Sequence, residues 1–266
     1  MPERYGMTMK KSICTAAVAF CLIFTLSACH TADPPAPPYL IAHAGGEIDG
    51  LTYTNCQEAL DLSYENGLRY FELDFSFTTD GHLICVHSYD GFMEKFFDAP
   101  RAACSYEQWQ GFSMLNDYTK LDMESAVAWF NAHKDAYLIT DVKGDNLVAL
   151  GKLAQYAPTL KERIIPQIYD FAQYDAVCAM GYEKIILTLY RLDCPDEQVV
   201  TFAQEHELFG VTMHLPKGET GLPAALLPTR SFVHTVNDKA EIQKYIDTGV
   251  FGFYTDSLYS LDTVSR

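Results

Sequence analysis

Eight short apolar runs, at residues 39–43, 70–77, 137–142, 164–168, 184–189, 209–214, 231–236 and 250–254, recur along the chain with helical stretches between them. Strands alternating with helices in this way imply βα units and a parallel sheet. Eight such units are what a closed parallel barrel needs, so the pattern predicts an α/β fold, a single-domain (β/α)8 TIM barrel. A doubly wound open sheet shares the periodicity. Its glycine-rich phosphate loop is missing here, because His43-Ala44-Gly45-Gly46 after the first run matches neither GxGxxG nor GxxxxGK[ST].

The barrel does not begin at Met1. Lys10 and Lys11 precede an uncharged stretch, 12–28, whose apolar core is short of the roughly 20 residues that span a bilayer. It reads as a secretory signal. Its end, Leu26-Ser27-Ala28-Cys29, resembles the lipobox of bacterial lipoproteins, and that resemblance implies a lipid on Cys29. Four prolines between Thr31 and Pro38 forbid helix and favour an extended spacer. The expected organisation is therefore a signal at 1–28, a tether at 29–38 and one barrel domain at 39–266. Such a protein works outside the cytoplasm, anchored to the bacterial cell membrane by lipid.

The formal charge of the chain is −16, and removing the basic leader makes the domain more acidic still. That field repels polyanions and excludes nucleic acid as a natural partner. An anionic substrate needs a metal ion or a lysine beside it. Cys56, Cys85, Cys104, Cys178 and Cys194 remain after the leader and Cys29; an odd set without paired spacing is no disulfide framework, and no spacing suggests zinc. Most are expected in the core. The sequence identifies no protein partner.

Between the strands, Asn55 is expected to cap a helix that stops at Asn66-Gly67, and 122–133 places Met123, Val127 and Phe130 on one helical face. Residues 82–87 follow the second run across Thr79-Asp80-Gly81, a turn signature, and are read as an extension of the second strand. The aromatic, loop-like stretch 91–120 inserts between the second and third strands at the rim, as a cover over substrate. Tyr89, Phe92, Phe96 and Phe97 line a pocket for an alcohol or acyl group on that reading, or pack a core. Tyr169, Tyr190 and Met213 are expected to point inward, and the eighth helix to be short or absent.

The second strand carries the chemistry. Alternation turns Phe71, Leu73, Phe75 and Phe77 toward the helices, and Tyr70, Glu72, Asp74 and Ser76 into the barrel. Two carboxylates about 6–7 Å apart repel by about 2–3 kcal/mol at an effective dielectric near 20, so a cation should offset them. Asp141 and Lys143 share one face of the third strand: Asp141 as a third ligand, Lys143 as a neutralising charge or phosphate contact. Oxygen ligands without thiolate suit Ca2+ or Mg2+ and do not choose between them. His43 and His87 fall at strand ends on the same rim, where one imidazole can take a proton and the other give one.

These segments in order, His43-Ala44-Gly45-Gly46, Thr54-Asn55-Cys56, Glu72-Leu73-Asp74, Thr79-Asp80-Gly81 with His87, Asp141-Val142-Lys143, Thr235-Val236-Asn237 and Thr255-Asp256, resemble the glycerophosphodiester phosphodiesterase family. That family's order is HRG, PENT, ExD, T-x-DG, HD, E-x-K, WTVN and TD. The resemblance implies metal-dependent hydrolysis of a small phosphodiester to a phosphomonoester and an alcohol. His43 and His87 would be the acid–base pair and Glu72, Asp74 and Asp141 the metal ligands, with Lys143, Asn55 and His234 at the substrate. Attack by water or by the substrate's own hydroxyl stays open. Ala44 replaces the arginine of HRG, Thr54 the glutamate of PENT, and Ser88 the aspartate of HD; Asp90, two residues beyond Ser88, is a candidate to orient His87 instead. His234 stands at the tryptophan of WTVN. Two rivals share these residues: a phospholipase, phosphatidylinositol phospholipase C-like or sphingomyelinase D-like, and a non-catalytic lipoprotein that binds phosphorylated ligands.

Overall fold

The computed structural model describes residues 40–261 together with Met1. The leader, Cys29 and the proline-rich tether lie outside the described residues.

Eight parallel strands close into a barrel: β1 (Leu40–Ala42), β2 (Tyr70–Phe77), β4 (Tyr137–Val142), β5 (Ile164–Ile168), β6 (Ile186–Thr188), β7 (Gly210–His214), β8 (Ser231–His234) and β9 (Gly252–Thr255). Each pairs with the next, and β1 pairs with both β2 and β9, which closes the ring. The remaining strand, β3 (Leu83–Ile84), runs antiparallel against the end of β2, with Ser76 opposite Ile84. Residues 82–87 are thus not an extension of the second strand. The Asp80-Gly81 turn, with Gly81 at φ +84°, sends the chain back along it.

The helices cover the outside. α1 (Gln57–Glu65) follows β1, and α2 (Gly91–Phe97), α3 (Tyr106–Gly111) and α4 (Met123–Ala132) lie between β3 and β4. Beyond these come α5 (Asn146–Tyr156), α6 (Tyr174–Ala179), α7 (Asp196–Glu205), α8 (Leu215–Gly218), α9 (Leu222–Leu226) and α10 (Lys239–Asp247). No helix follows β9 among the described residues. α4 begins in a capping box, where Asp122 accepts from the Ser125 amide and the Ser125 side chain accepts from the Asp122 amide. α1 starts at Cys56 without a side-chain cap and stops, as expected, at Asn66 and Gly67.

Strand alternation sorts the core into two layers. Phe71, Leu73 and Phe75 pack outward with Leu138, Val142, Val211 and the helices, while Ile41, Tyr70, Ile139, Ile165, Ile186 and Phe232 fill the barrel floor. A one-residue slip of β2 would turn the carboxylates of Glu72 and Asp74 into the apolar layer and remove aromatic burial of about 1.5–3 kcal/mol per ring, so the register is fixed. Met213 belongs to the outer layer, contrary to expectation.

The insertion is not loop-like. Phe92, Phe96 and Phe97 are buried with Met93, Trp109 and Cys104 in a satellite core, and the Tyr89 hydroxyl donates to the Phe77 carbonyl at 2.9 Å. These aromatics hold the insertion together rather than line a pocket. Cys56, Cys85 and Cys104 are buried free thiols, as expected; Cys178 is exposed and Cys194 half-buried.

Candidate active site

The site follows from the floor by counting two residues up each strand. Ile41 leads to His43, Tyr70 to Glu72, Ile139 to Asp141, Ile165 to Gln167, Ile186 to Thr188 and Phe232 to His234. Each of these second residues lines one small cavity, with Tyr190, Thr212 and Tyr254, above the apolar floor. Its volume is about 30 Å3, room for little more than one water. The polar ring is therefore a consequence of strand period and common stagger. It opens at the carboxyl ends of the strands, where βα loops build sites in this architecture.

The β2–β4 register sets Asp74 directly beside Asp141. Ligand oxygens of Glu72, Asp74 and Asp141 all lie within 4.8 Å of one another. Lys143 Nζ reaches Asp74 Oδ1 at 2.8 Å and Asp141 Oδ2 at 2.9 Å. The far oxygen of Asp141 accepts from the Tyr169 hydroxyl at 2.6 Å and the Tyr190 hydroxyl at 2.8 Å. Burial alone would raise the Asp141 carboxyl, yet Lys143 and the two phenols hold it below the usual range. Burial likewise opposes the Lys143 ammonium, and Asp74 and Asp141 overcome it, so the lysine stays charged.

Glu72 is different. It is 2% exposed; Oε2 accepts from the Ala44 amide at 2.8 Å, and Oε1 has no partner. Burial first, then the Asp74 charge, pushes its carboxyl up to about 8. An orphaned buried carboxylate oxygen inside an all-oxygen donor set is what a hard divalent cation would satisfy. With Glu72 ionised, three carboxylates against one lysine leave two negative charges, which such an ion balances.

The histidines sit on the same rim in opposite environments. His43 follows β1 in the tight turn His43–Gly45, and its Nδ1 donates to Asp256 Oδ1 at 2.8 Å. Burial works against protonation, but the Asp256 hydrogen bond and the charges of Glu72, Asp256 and Asp74 raise His43 to about 9. His87 is carried to the mouth by the hairpin, where the Ser76 hydroxyl donates to the Val86 carbonyl at 2.7 Å. Burial lowers its pKa, only partly offset by Asp74. His234, in register with His214, is driven down to about 4 by burial and then by His214 and His43.

All the expected residues converge except in two details. Asn55 caps no helix: its Oδ1 accepts from the Asp74 amide and its Nδ2 donates to Asp74 Oδ2, both at 2.9 Å. With both ends so used, it orients a carboxylate and is not a free phosphate contact. Asp90, at the exposed start of α2, makes no hydrogen bond to His87 among the described residues; the neighbour of that ring is Tyr53. His234 lines the cavity with Nε2 buried and unpartnered.

Three contributors lay beyond the expected set. Asp256 holds His43, and is itself held by Asn237, whose Nδ2 donates to Asp256 Oδ2 and whose Oδ1 accepts the Asp256 amide, both at 2.7 Å. Their places in the motif series were the available signal. Tyr53, between the two imidazoles, had none.

The fold so built is that of solved glycerophosphodiester phosphodiesterases. A Parabacteroides distasonis enzyme of that name is 15% identical, with TM-score 0.68 over 87% of this chain and 87% of its own. One from Galdieria sulphuraria, described as a candidate glycerophosphodiester phosphodiesterase, is 17% identical, with TM-score 0.66 over 84% and 95%. An Oleispira antarctica phosphodiesterase, solved with its product sn-glycerol-3-phosphate, is 14% identical, with TM-score 0.66 over 85% and 96%. No family model and no curated protein sequence matches the chain.

Proposed function

We propose that the protein is a phosphoric diester hydrolase that converts a glycerophosphodiester or related small phosphodiester into a phosphomonoester and an alcohol. The observation that carries this reading is the pair His43 and His87, shifted in opposite directions on the rim that also presents Glu72, Asp74 and Asp141. Near neutral pH, His87 is free to take a proton from water or from a neighbouring substrate hydroxyl. His43 holds a proton to give to the departing alkoxide. Asp256 keeps that proton on the imidazole, and Asn55 and the Ala44 amide keep Asp74 and Glu72 in place. Glu72, Asp74 and Asp141 would hold a divalent cation, Ca2+ or Mg2+, which when bound supplies charge stabilisation to the phosphate. Lys143 adds a second positive charge at the same mouth. The product complex of the Oleispira antarctica phosphodiesterase supports a substrate of this class.

We place the enzyme outside the cytoplasm, tethered through Cys29 by the proline-rich segment and held at a membrane. A Cys29→Ser variant should move from the membrane fraction to the soluble one; unchanged fractionation removes the anchor.

The missing arginine at Ala44 favours a second reading, a non-catalytic phosphoryl-ligand-binding lipoprotein. Purified protein assayed on a glycerophosphodiester panel, bis(4-nitrophenyl) phosphate and phospholipid vesicles separates the readings. Turnover of the small diesters that is lost with chelator and in His43→Ala supports the proposal. Turnover confined to vesicles supports a phospholipase, and turnover of nothing supports the binding protein.

A further inference from the structure

The ring of Tyr53 touches both members of the histidine pair. Its centroid lies 4.5 Å from that of His43 and 5.2 Å from that of His87, edge to face in both cases. It is 38% exposed, while His43 and His87 are half-buried beneath its edge contacts, so the ring forms part of the open rim beside both imidazoles. Its backbone is anchored two residues on, at Asn55. The Asn55 amide donates to the Ala44 carbonyl at 3.1 Å, and its side chain grips Asp74 at both ends. The segment carrying the ring is thus tied to the end of β1 and to a carboxylate of the site, which sets the ring's backbone beside the histidine pair.

Two imidazoles that act on one phosphate must both reach its oxygens. A ring packed against both bounds the space left for the ester groups on that phosphate. We infer that Tyr53 is the specificity-determining residue of this site, limiting the width of the ester group that can accompany the phosphate between His43 and His87. This rests on the phosphodiesterase reading above. On this inference a slender diester is preferred to one with two bulky groups. A single methylene in an apolar pocket shifts discrimination by about 10–200-fold, and the ring of Tyr53 is larger than that.

The test compares methyl 4-nitrophenyl phosphate with bis(4-nitrophenyl) phosphate, which release the same nitrophenolate and differ only in the ester group that stays. Tyr53→Ala should raise the ratio of kcat/KM for the bis ester over the methyl ester by about tenfold or more, chiefly through KM. Tyr53→Phe, which keeps the ring, should retain the wild-type ratio. A merely structural role would depress both esters alike, and a ratio unmoved by Tyr53→Ala overturns the inference. If the wild type hydrolyses neither ester, the phosphodiesterase reading fails on its own. The same ratio is then taken from dissociation constants measured by calorimetry. A tenfold shift in Tyr53→Ala supports the inference; an unmoved ratio, or no binding of either ester to wild type and variant, overturns it.

Discussion

His43 Nδ1 lies 2.8 Å from Asp256 Oδ1 across 213 residues of sequence, because closure of the barrel sets Ala42 beside Thr255. A carboxylate can only accept, so this contact fixes the proton on Nδ1 and leaves Nε2 for the reaction. Asp256→Asn should lower kcat by about 100-fold or more, within the 10²–10⁴ that a positioned acid–base group contributes. Steady-state kinetics check this. Retained kcat would show that His43 needs no orientation.

The same contact makes stability depend on pH. His43 is raised from 6.5 to about 9 in the folded protein, so its contribution is complete below pH 6.5 and is lost as pH rises through 9. The size is about 3 kcal/mol at about 1.4 kcal/mol per pH unit. Wild type should exceed Asp256→Asn in urea denaturation at pH 6, and the gap should close above pH 9.

Catalysis should follow a bell in pH. The rising limb belongs to His87, which burial holds below the usual imidazole value, and the falling limb to His43, near 9. In Asp256→Asn the falling limb should move down toward neutrality while the rising limb stays. A kcat/KM profile from pH 5 to about 10 reads both.

Glu72 gives a prediction of opposite sign for stability and function. Its carboxyl is raised to about 8, so ionisation costs stability as pH rises from 4.5 to 8. Metal-free Glu72→Gln should be about 1–2 kcal/mol more stable than wild type at pH 8.5, and alike at pH 4, because the variant buries no charge. Added Ca2+ or Mg2+ should raise the wild-type Tm and leave the variant's unchanged. A cation shift that survives the substitution would place the ion elsewhere.

Much of this site was legible in the sequence because it breaks a pattern. Glu72, Asp74 and Asp141 stand out as the charged residues of β2 and β4, and strand period aims them at one another. His43 and His87 were legible as strand ends. Contacts made by closure were not: nothing local joins His43 to Asp256. Tyr53 sits in a turn with φ +64°, outside any period. Met213 takes the outer face although Phe209, which precedes β7, reaches the barrel floor. Counting from it reverses the parity that Thr212 and Met213 adopt. The insertion escaped because its helices are short and its aromatics serve a core of their own.

Gly46 supports the turn that carries His43, and its replacement should be costly for two separable reasons. It has φ +102° and ψ −178°, a conformation essentially reserved to glycine that costs a residue with a Cβ about 1–3 kcal/mol. A Cβ there would also fall 2.2 Å from Ser63 Oγ, which donates to the Gly45 carbonyl at 2.8 Å. Gly46→Ala should therefore lose about 3 kcal/mol, a fall in Tm of about 6–12 °C for a domain of this size. With Ser63→Ala added, the oxygen is gone and the next neighbours, Ser63 Cβ and the Asp256 carbonyl, lie at ordinary contact distances of 3.5 and 3.6 Å. The double variant should thus regain the steric part and keep only the backbone part, giving a coupling of about 1 kcal/mol in a double-mutant cycle. Strict additivity would mean that the turn, rather than Ser63, moves aside.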